Sequence, residues 1–248
     1  GSEMCIRDRC EALEACANEA PITRAWIGSA GIDADESARI ATEALRCAMP
    51  HVHEWTVTND AALLCASVPR NRPCVVCIAG TGSVVLAYDA QRTRTKRVGG
   101  LGWLLGDEGS AVGVGRAALR HVLSEPSPLL DVILAATGAA TADDLLSYVY
   151  TDDSRTRIAA LAQVVTRAAH DGHAVAQHIV ELEAQAMAAC IDRAAPPIPA
   201  ACRLGGALFG DAGYLARVLH HIQTPFIDTQ VVHDICGTAA QSKATRPW

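Results

Sequence analysis

Apolar positions in roughly the first 70 residues follow two different periods. Two short runs have the length and bounds of strands, and longer stretches between them carry apolar residues at helical spacing. The predicted strands are Ile22–Ile27 and His53–Val57, and the predicted helices are Cys10–Glu19, Asp35–Met49 and Ala61–Ala66. Strands and helices that alternate in this order are typical of a parallel sheet.

The pattern changes after Pro73. Three strands separated by short turns predict an antiparallel meander, and a long helical region and two later strands follow. The predicted strands are Cys74–Ala79, Val84–Ala87, Thr95–Val98, Cys202–Leu204 and Phe226–Val231. The predicted helices are Ser110–Leu123, Leu129–Ala135, Asp143–Tyr150, Arg155–Ala169, Ala174–Ala194, Tyr214–His221 and Val232–Ala244. We therefore expect an α/β fold with mixed sheets flanked by helices.

Composition narrows the function classes. The 248 residues are 50% hydrophobic and carry a net charge of −6, which argues against a nucleic-acid-binding surface. The 10 cysteines are scattered through apolar segments, no signal peptide precedes them, and no apolar run approaches the ~20 residues of a membrane span. We therefore expect reduced thiols in a cytoplasmic protein with no nucleic-acid or membrane partner.

The pair Cys74 and Cys77 has the spacing of a metal or redox motif. It lies inside an apolar strand, and no second pair follows at zinc spacing. We predict that both cysteines are buried and structural.

Chemistry is concentrated in turns rich in glycine. The strand that ends at Ala79 leads into Gly80, Thr81, Gly82 and Ser83. Such a turn can point backbone N–H groups and a hydroxyl at phosphate oxygens. A side chain at either glycine would hold a phosphate away from the backbone.

Two further turns of this kind follow. The segment Gly99–Ser110 is rich in glycine and contains the carboxylates Asp107 and Glu108, and a predicted strand ends at Gly205–Gly206. We interpret all three turns as strand ends that are each followed by a helix. Together with Asn59–Asp60 and Gly28–Gly31, they indicate a phosphoryl-transfer site.

Each assignment has a structural alternative. Asp60 has the position of a helix N-cap, and Glu108 that of a first-turn carboxylate that stabilises the next helix dipole. The pair Gly205–Gly206 has the composition of an ordinary turn.

These motifs resemble the N-acetylglucosamine kinase branch of the BadF/BadG/BcrA/BcrD-type ATPase family, within the actin–hexokinase–Hsp70 superfold. The Gly-Thr-Gly-Ser turn and the Gly-Asp-Glu-Gly-Ser block carry the resemblance, which extends from about Ala25 to about Ala240. The motif Trp-Leu-Leu-Gly-Asp-Glu-Gly-Ser is similar to that of fungal members of the family. The resemblance implies a two-lobed fold, ATP and Mg²⁺ as cofactors, and an amino sugar as substrate.

The resemblance also implies individual roles. Asp60 matches the general base that accepts the proton of the sugar 6-hydroxyl. The phosphate loop is matched by Gly80, Thr81, Gly82 and Ser83, and the adenosine loop by Gly205 and Gly206. The sugar pocket is matched by Asp107, Gly100, Leu101, Ser29, Gly31 and Asn59. No metal-ligating residue is assigned.

Two features of the sequence depart from the family pattern and change the expected substrate and activity. Leu101 stands where the family often has an aromatic residue that stacks on the sugar, so the identity of the sugar stays open. The Asp-Gly-Gly-Gly-Thr type of turn that opens the superfold and holds the first phosphate contact does not occur in this sequence. We therefore expect an N-terminally truncated chain with an incomplete first lobe and little or no kinase activity.

The expected organisation has four parts. Residues 1–9 are a non-native tail, residues 10–72 a remnant of the N-terminal lobe, and residues 73–230 the C-terminal lobe with the phosphate and adenosine loops. Residues 231–248 form a helix and tail that return toward the N-terminal lobe. A homodimer stays open. The alternative functions are a non-catalytic sugar-sensing protein and an ATPase activator of a dehydratase, which would need Cys74 and Cys77 exposed.

Overall fold

The computed structural model describes residues 21–29, 31–32 and 34–241. The expected tail over residues 1–9 and the expected helix Cys10–Glu19 lie outside the described residues. The chain divides into two compact units, one formed by Gly1–Ser67 with Ile235–Trp248 and the other by Val68–Asp234. None of the described helices is both long and apolar enough to cross a membrane.

The described elements alternate early and become helix-rich later. The strands are β1 (Arg24–Gly28), β2 (Glu54–Thr58), β3 (Cys74–Ala79), β4 (Ser83–Tyr88), β5 (Arg94–Gly99), β6 (Ala201–Gly205) and β7 (Thr229–Val231). The α-helices are α1 (Asp35–Ala48), α2 (Ala111–Ser124), α3 (Leu129–Thr137), α4 (Ala142–Val149), α5 (Ser154–His170), α6 (Ala174–Ala194), α7 (Ala212–His221) and α8 (Ile235–Gln241). Two 3-10 helices span Asp60–Ser67 and Ala207–Gly210.

In the first unit, β1 and β2 pair in parallel with Gly28 opposite Thr58, as the alternating pattern predicts. The segment predicted as a helix over Ala61–Ala66 is a 3-10 helix, so the expected helix type is wrong. The reason lies at its start, where the N–H of Ala62 donates to the carbonyl of Asn59, an i to i+3 bond. Helix α8 packs against this 3-10 helix.

The second unit contains a five-stranded mixed sheet in the order β5-β4-β3-β6-β7. Strands β3, β4 and β5 form the predicted antiparallel meander, whereas β3 and β6 run parallel with Ile78 opposite Gly205. One face of β3 contributes Val75, Cys77 and Ala79 to the main core beneath α2, α5 and α6. The expected α/β class with a mixed sheet flanked by helices is confirmed.

The burial of Cys74 and Cys77 is confirmed, since neither has measurable solvent exposure. Side chains alternate along a strand, so cysteines three positions apart point to opposite faces of the sheet. The Cys77 thiol lies 3.2 Å from the Met187 sulfur. Burial raises the pKa of the Cys77 thiol well above its usual value. A thiol held protonated in this way is neither a metal ligand nor a reactive nucleophile.

Three of the differences from the expected elements have a clear cause in backbone hydrogen bonding. The Gly80 turn leads directly into β4 rather than into a helix, because Ala79 and Ser83 pair as a hairpin. Strand β7 begins at Thr229 rather than Phe226, whose N–H closes a tight turn onto the carbonyl of Thr224. The last helix begins at Ile235 rather than Val232, because the N–H of Val232 extends the sheet by donating to the carbonyl of Leu204.

The close contact between α2 and α5 depends on Gly115. A Cβ built on this glycine would overlap the carbonyl oxygen of Ile158, a backbone atom that cannot move independently of α5. We predict that Gly115→Ala lowers the free energy of unfolding by about 1–3 kcal/mol or more, because it overpacks a fixed interface. Urea denaturation measures the change, with Arg120→Ala on the exposed side of α2 as the control. Equal stability of the two variants would contradict the prediction.

Candidate functional site

The turn between β3 and β4 contains hydrogen-bond donors that no other described residue uses. The carbonyls of Gly80 and Thr81 accept from the first two amides of α2, at 2.9 Å from Ala111 and 3.2 Å from Val112. Among the described residues, the N–H groups of Thr81 and Gly82 and the Thr81 hydroxyl have no hydrogen-bond partner. Grouped donors of this kind form a cradle for an anion such as phosphate.

Ser83 joins this turn to the glycine-rich loop. Its hydroxyl donates to the carbonyl of Glu108 at 2.7 Å, so its proton is already used within the protein. Glu108 precedes the N-cap of α2, which is Ser110, and the first turn of that helix contains no acidic residue. The interpretation of Glu108 as a first-turn carboxylate is therefore wrong.

The loop from Gly99 to Gly109 is irregular yet firmly braced. Four of its glycines have left-handed backbone angles: Gly99, Gly100, Gly102 and Gly109. The guanidinium of Arg116 donates to the carbonyls of Trp103 and Gly106, at 2.7 and 3.0 Å. A side chain from α2 therefore holds the middle of the loop in place.

The end of the loop is held from both sides at Gly109. Its N–H donates to Oε2 of Glu183 at 2.7 Å, and its carbonyl accepts from the Tyr214 hydroxyl at 2.5 Å. Burial raises the pKa of the Glu183 carboxyl, while the bond from Gly109 and the charge of Arg116 act in the opposite direction. A half-buried carboxylate from α6 and a fully buried tyrosine from α7 thus fix the backbone beside Asp107.

Asp107 is the most unusual residue of the loop. It has a left-handed backbone with φ of 62°, and its side chain is only 3% exposed. Its carbonyl accepts from the Ser110 hydroxyl at 2.6 Å, but its carboxylate has no hydrogen-bond or ion-pair partner among the described residues. A buried, unpaired carboxylate on a strained backbone is costly and is typical of a ligand-binding position.

The Asp107 carboxylate lies directly against the turn between β3 and β4. A Cβ built on Gly82 would be 2.6 Å from Oδ2 of Asp107 and 3.1 Å from Nη2 of Arg155, which projects from the start of α5. Gly82 is therefore required for a close approach of side chains as well as for access to its amide. Arg155 was not anticipated from the sequence, where it reads as an exposed helix residue.

A cavity of about 710 Å³ opens beside this turn. It lies at the carboxyl ends of the parallel strands β3 and β6, the usual position of a ligand in an open α/β sheet. Its lining includes Gly80, Thr81, Thr156, Gln163, Ala207 and Gly210. The turn after β3 and the segment after β6 therefore face the same space.

Gly205 and Gly206 stand just before the lining residues of that segment. Gly205 is the last residue of β6, and Gly206 has φ of 106°. A Cβ on Gly206 would lie 2.5 Å from the carbonyl oxygen of Ala79, so this glycine allows the ends of β6 and β3 to approach closely. The segment from Ala207 to Gly210 lines the cavity itself.

The α5 residues that line the cavity were missed by sequence reasoning. Thr156, Ala160 and Gln163 recur at helical spacing on one face, beside small residues that leave room for a ligand. A polar, small-residue face of this kind on an otherwise buried helix is a signal that the sequence contained.

Gly100 and Leu101 form the outer part of the loop. A Cβ on Gly100 would meet Val84 and the guanidinium of Arg97, and Leu101 is 64% exposed. The Leu101 side chain is therefore available to an apolar ligand surface.

The remaining predicted residues belong to the first unit and follow the carboxyl ends of β1 and β2. Ser29 and Asn59 are buried, while Gly31 has φ of 83° in an exposed turn. Oδ1 of Asn59 and Oδ1 of Asp60 both accept from the N–H of Ala61 at 3.0 Å. Asn59, which precedes the 3-10 helix, thus makes the capping contact, whereas Asp60 is the first residue of that helix and accepts from the adjacent N–H.

The chain belongs to the BadF/BadG/BcrA/BcrD ATPase family, whose model matches residues 5–238. The resemblance stated from the motifs is confirmed, and the match begins before the Ala25 at which we expected it to start.

Two curated relatives are kinases of amino sugars. The N-acetylmuramic acid/N-acetylglucosamine kinase of Clostridium acetobutylicum is 30% identical over 162 residues, which cover 62% of this chain and 52% of that protein. The N-acetyl-D-glucosamine kinase of Dictyostelium discoideum is 28% identical over 131 residues, which cover 50% of this chain and 41% of that protein. The chain spans about half the length of the curated relatives that it matches.

Solved structures show the same fold. A crystal structure of a candidate N-acetylglucosamine kinase from Porphyromonas gingivalis superposes with a TM-score of 0.74 at 21% identity, covering 94% of this chain and 81% of that one. A candidate N-acetylglucosamine kinase from Chromobacterium violaceum gives a TM-score of 0.69 at 20% identity, covering 92% of this chain and 78% of that one.

We predict that Asp107 lowers the free energy of unfolding, because its backbone conformation serves the candidate site and not the fold. We expect Asp107→Asn to raise the free energy of unfolding by about 1 kcal/mol at neutral pH. Asparagine tolerates the left-handed backbone better and keeps the shape of the side chain. Urea denaturation measures the change, with Asp152→Asn at an exposed position as the control. A variant less stable than the parent protein would contradict this expectation.

We predict that Glu183 makes the free energy of unfolding fall as the pH rises. Because its folded-state pKa is raised, its contribution is fully present below its ordinary pKa of 4.5 and is lost as the pH rises through the folded value. We expect the free energy of unfolding of the parent protein, relative to Glu183→Gln, to fall between pH 4 and pH 8. Denaturation at each pH measures the difference, and a constant difference would rule out this linkage.

Proposed function

We propose that the protein is an ATP-dependent kinase that transfers the γ-phosphate to the 6-hydroxyl of N-acetylglucosamine or a related hexosamine. Support comes from the family, from the names of the two curated relatives, and from the site in the second unit. The observation that carries the proposal is the buried, unpaired carboxylate of Asp107 beside the donor-rich turn after β3.

ATP fits the residues that surround the cavity. We assign the adenosine to the part of the cavity that is lined by the segment from Ala207 to Gly210, directly after Gly205 and Gly206. The phosphates would receive hydrogen bonds from the amides of Thr81 and Gly82, with Gly80 leaving room beside them. Ser83 would hold the turn against the loop rather than donate its own proton.

The sugar would occupy the space next to the terminal phosphate. A carboxylate accepts hydrogen bonds from two sugar hydroxyls at once, which suits the unpaired oxygens of Asp107. Gly100 and Leu101 would form a wall on the same side, where leucine offers apolar contact without an aromatic face. The family resemblance further assigns Ser29, Gly31 and Asn59, which lie in the first unit, to sugar binding.

Asp60 is assigned as the general base. The proton of the sugar 6-hydroxyl would pass to its carboxylate as the oxygen attacks the γ-phosphorus. The bond from the γ-phosphorus to the bridging oxygen then breaks, and ADP leaves with the bonding electrons. Its local contact with Ala61 would fix the carboxylate in position rather than exclude it from catalysis.

Magnesium would enter with the nucleotide and neutralise charge on the phosphates. The described residues contain no group of three or more His, Cys, Asp or Glu side chains placed to hold a metal ion. In kinases Mg²⁺ takes most of its ligands from phosphate oxygens and water, together with one or two carboxylates.

Turnover is proposed to need a second phosphate contact. The superfold supplies it through an Asp-Gly-Gly-Gly-Thr type of turn, which the 248 residues do not contain. We expect ADP release to be weak in this chain and restored when a strand and turn of that type are added before residue 10.

The role of Asp60 is tested by Asp60→Asn in the extended protein. We expect kcat for N-acetylglucosamine to fall about 100- to 10,000-fold, the usual range for loss of a general base, while KM changes little. Coupled ADP release measures both constants, and Asp35→Asn on the exposed start of α1 is the control. Retention of kcat in Asp60→Asn would remove Asp60 from the chemistry.

The activity itself is tested with N-acetylglucosamine, glucosamine and glucose as substrates. Phosphorylation of an amino sugar supports the kinase, and the ratio of kcat/KM values identifies the preferred sugar. Sugar binding without ADP release from the extended protein would overturn the kinase proposal in favour of a sugar-sensing protein.

A further inference from the structure

Arg155 differs from the other arginines near the phosphate turn. It is exposed at the first turn of α5 and has no hydrogen bond, ion pair or ring contact among the described residues. Arg157, two positions later, donates to the carbonyl of Tyr148 and lies over its ring. Arg116 is fully engaged with the glycine-rich loop. Arg155 is therefore not needed to hold these elements together.

The guanidinium of Arg155 and the carboxylate of Asp107 approach the same glycine. Nη2 and Oδ2 lie 3.1 and 2.6 Å from the Cβ position of Gly82, so they are no farther apart than the sum of those distances. The described ion pairs nevertheless include none between them. A cation and an anion held this close without contact leave the donors of Arg155 available to a ligand.

The chemistry of this position favours a phosphate group. The partnerless amides of Thr81 and Gly82 stand beside the guanidinium, and a fork of N–H donors with a fixed positive charge binds phosphate oxygens in bidentate fashion. The next residue on α5, Thr156, lines the cavity assigned to the nucleoside. A ligand that extends from the cavity past Thr81 to Gly82 would therefore end between Arg155 and Asp107.

We propose that Arg155 binds the terminal phosphate of the nucleotide, at the point where it meets the sugar held by Asp107. This role rests on the proposed function, since it takes ATP as the occupant of the cavity. It gives the site a positive charge at the group that is transferred, where charge neutralisation counts most.

The test compares nucleotides that share the nucleoside but differ in phosphates. We expect Arg155→Ala to weaken ATP binding about 10- to 100-fold, the usual loss for a charge-assisted hydrogen bond pair, and to leave AMP binding within about twofold. Arg155→Lys should recover part of the ATP affinity because it retains one charge. Isothermal titration calorimetry without sugar gives each affinity.

Arg167→Ala is the matched control. It removes the same charge from the same helix, about 18 Å along the axis from Arg155. We expect it to leave ATP and AMP binding unchanged. Equal weakening of ATP and AMP by Arg155→Ala, or no effect on either, would overturn the assignment. Failure of the parent protein to bind any adenine nucleotide would instead overturn the proposed function on which the assignment rests.

Discussion

The two hydrogen bonds from the start of α2 to the turn after β3 set the geometry on which the site depends. Ala111 and Val112 donate to the carbonyls of Gly80 and Thr81, and thereby use the acceptors of the turn within the protein. Because the C=O and N–H of a trans peptide point in opposite directions, the N–H groups of Thr81 and Gly82 point away from α2. The same contact places Ser110, and through it the backbone of Asp107, next to Gly82.

Most elements of the fold follow from local patterns. The strand Cys74–Ala79 and the helix Ala174–Ala194 have the predicted bounds, because unbroken apolar runs and helical spacing are strong signals. The 3-10 helix after β2 and the late start of α8 could not be predicted. Both depend on single backbone hydrogen bonds, to the carbonyls of Asn59 and Leu204, that no periodic pattern encodes.

The candidate site was predictable only as far as its glycines and carboxylates. The turn after β3 and the Asp107 loop stand out in the sequence because their composition is incompatible with regular structure. Arg155 was not predictable, because its proximity to Gly82 arises from the packing of α5 against α2 through Gly115. The bracing of the loop by Glu183 likewise comes from α6, which is distant along the chain.

The first unit combines two segments that are distant along the chain, and this affects its folding during synthesis on the ribosome. The 3-10 helix that begins with Asp60 packs against α8, which is encoded close to the opposite end of the chain. The 3-10 helix can therefore complete its packing only after the residues of the second unit, from Val68 to Asp234, have been synthesised. Domains generally fold as units during translation. Asp60, the proposed general base, would therefore acquire its final surroundings only after the whole second unit has been synthesised.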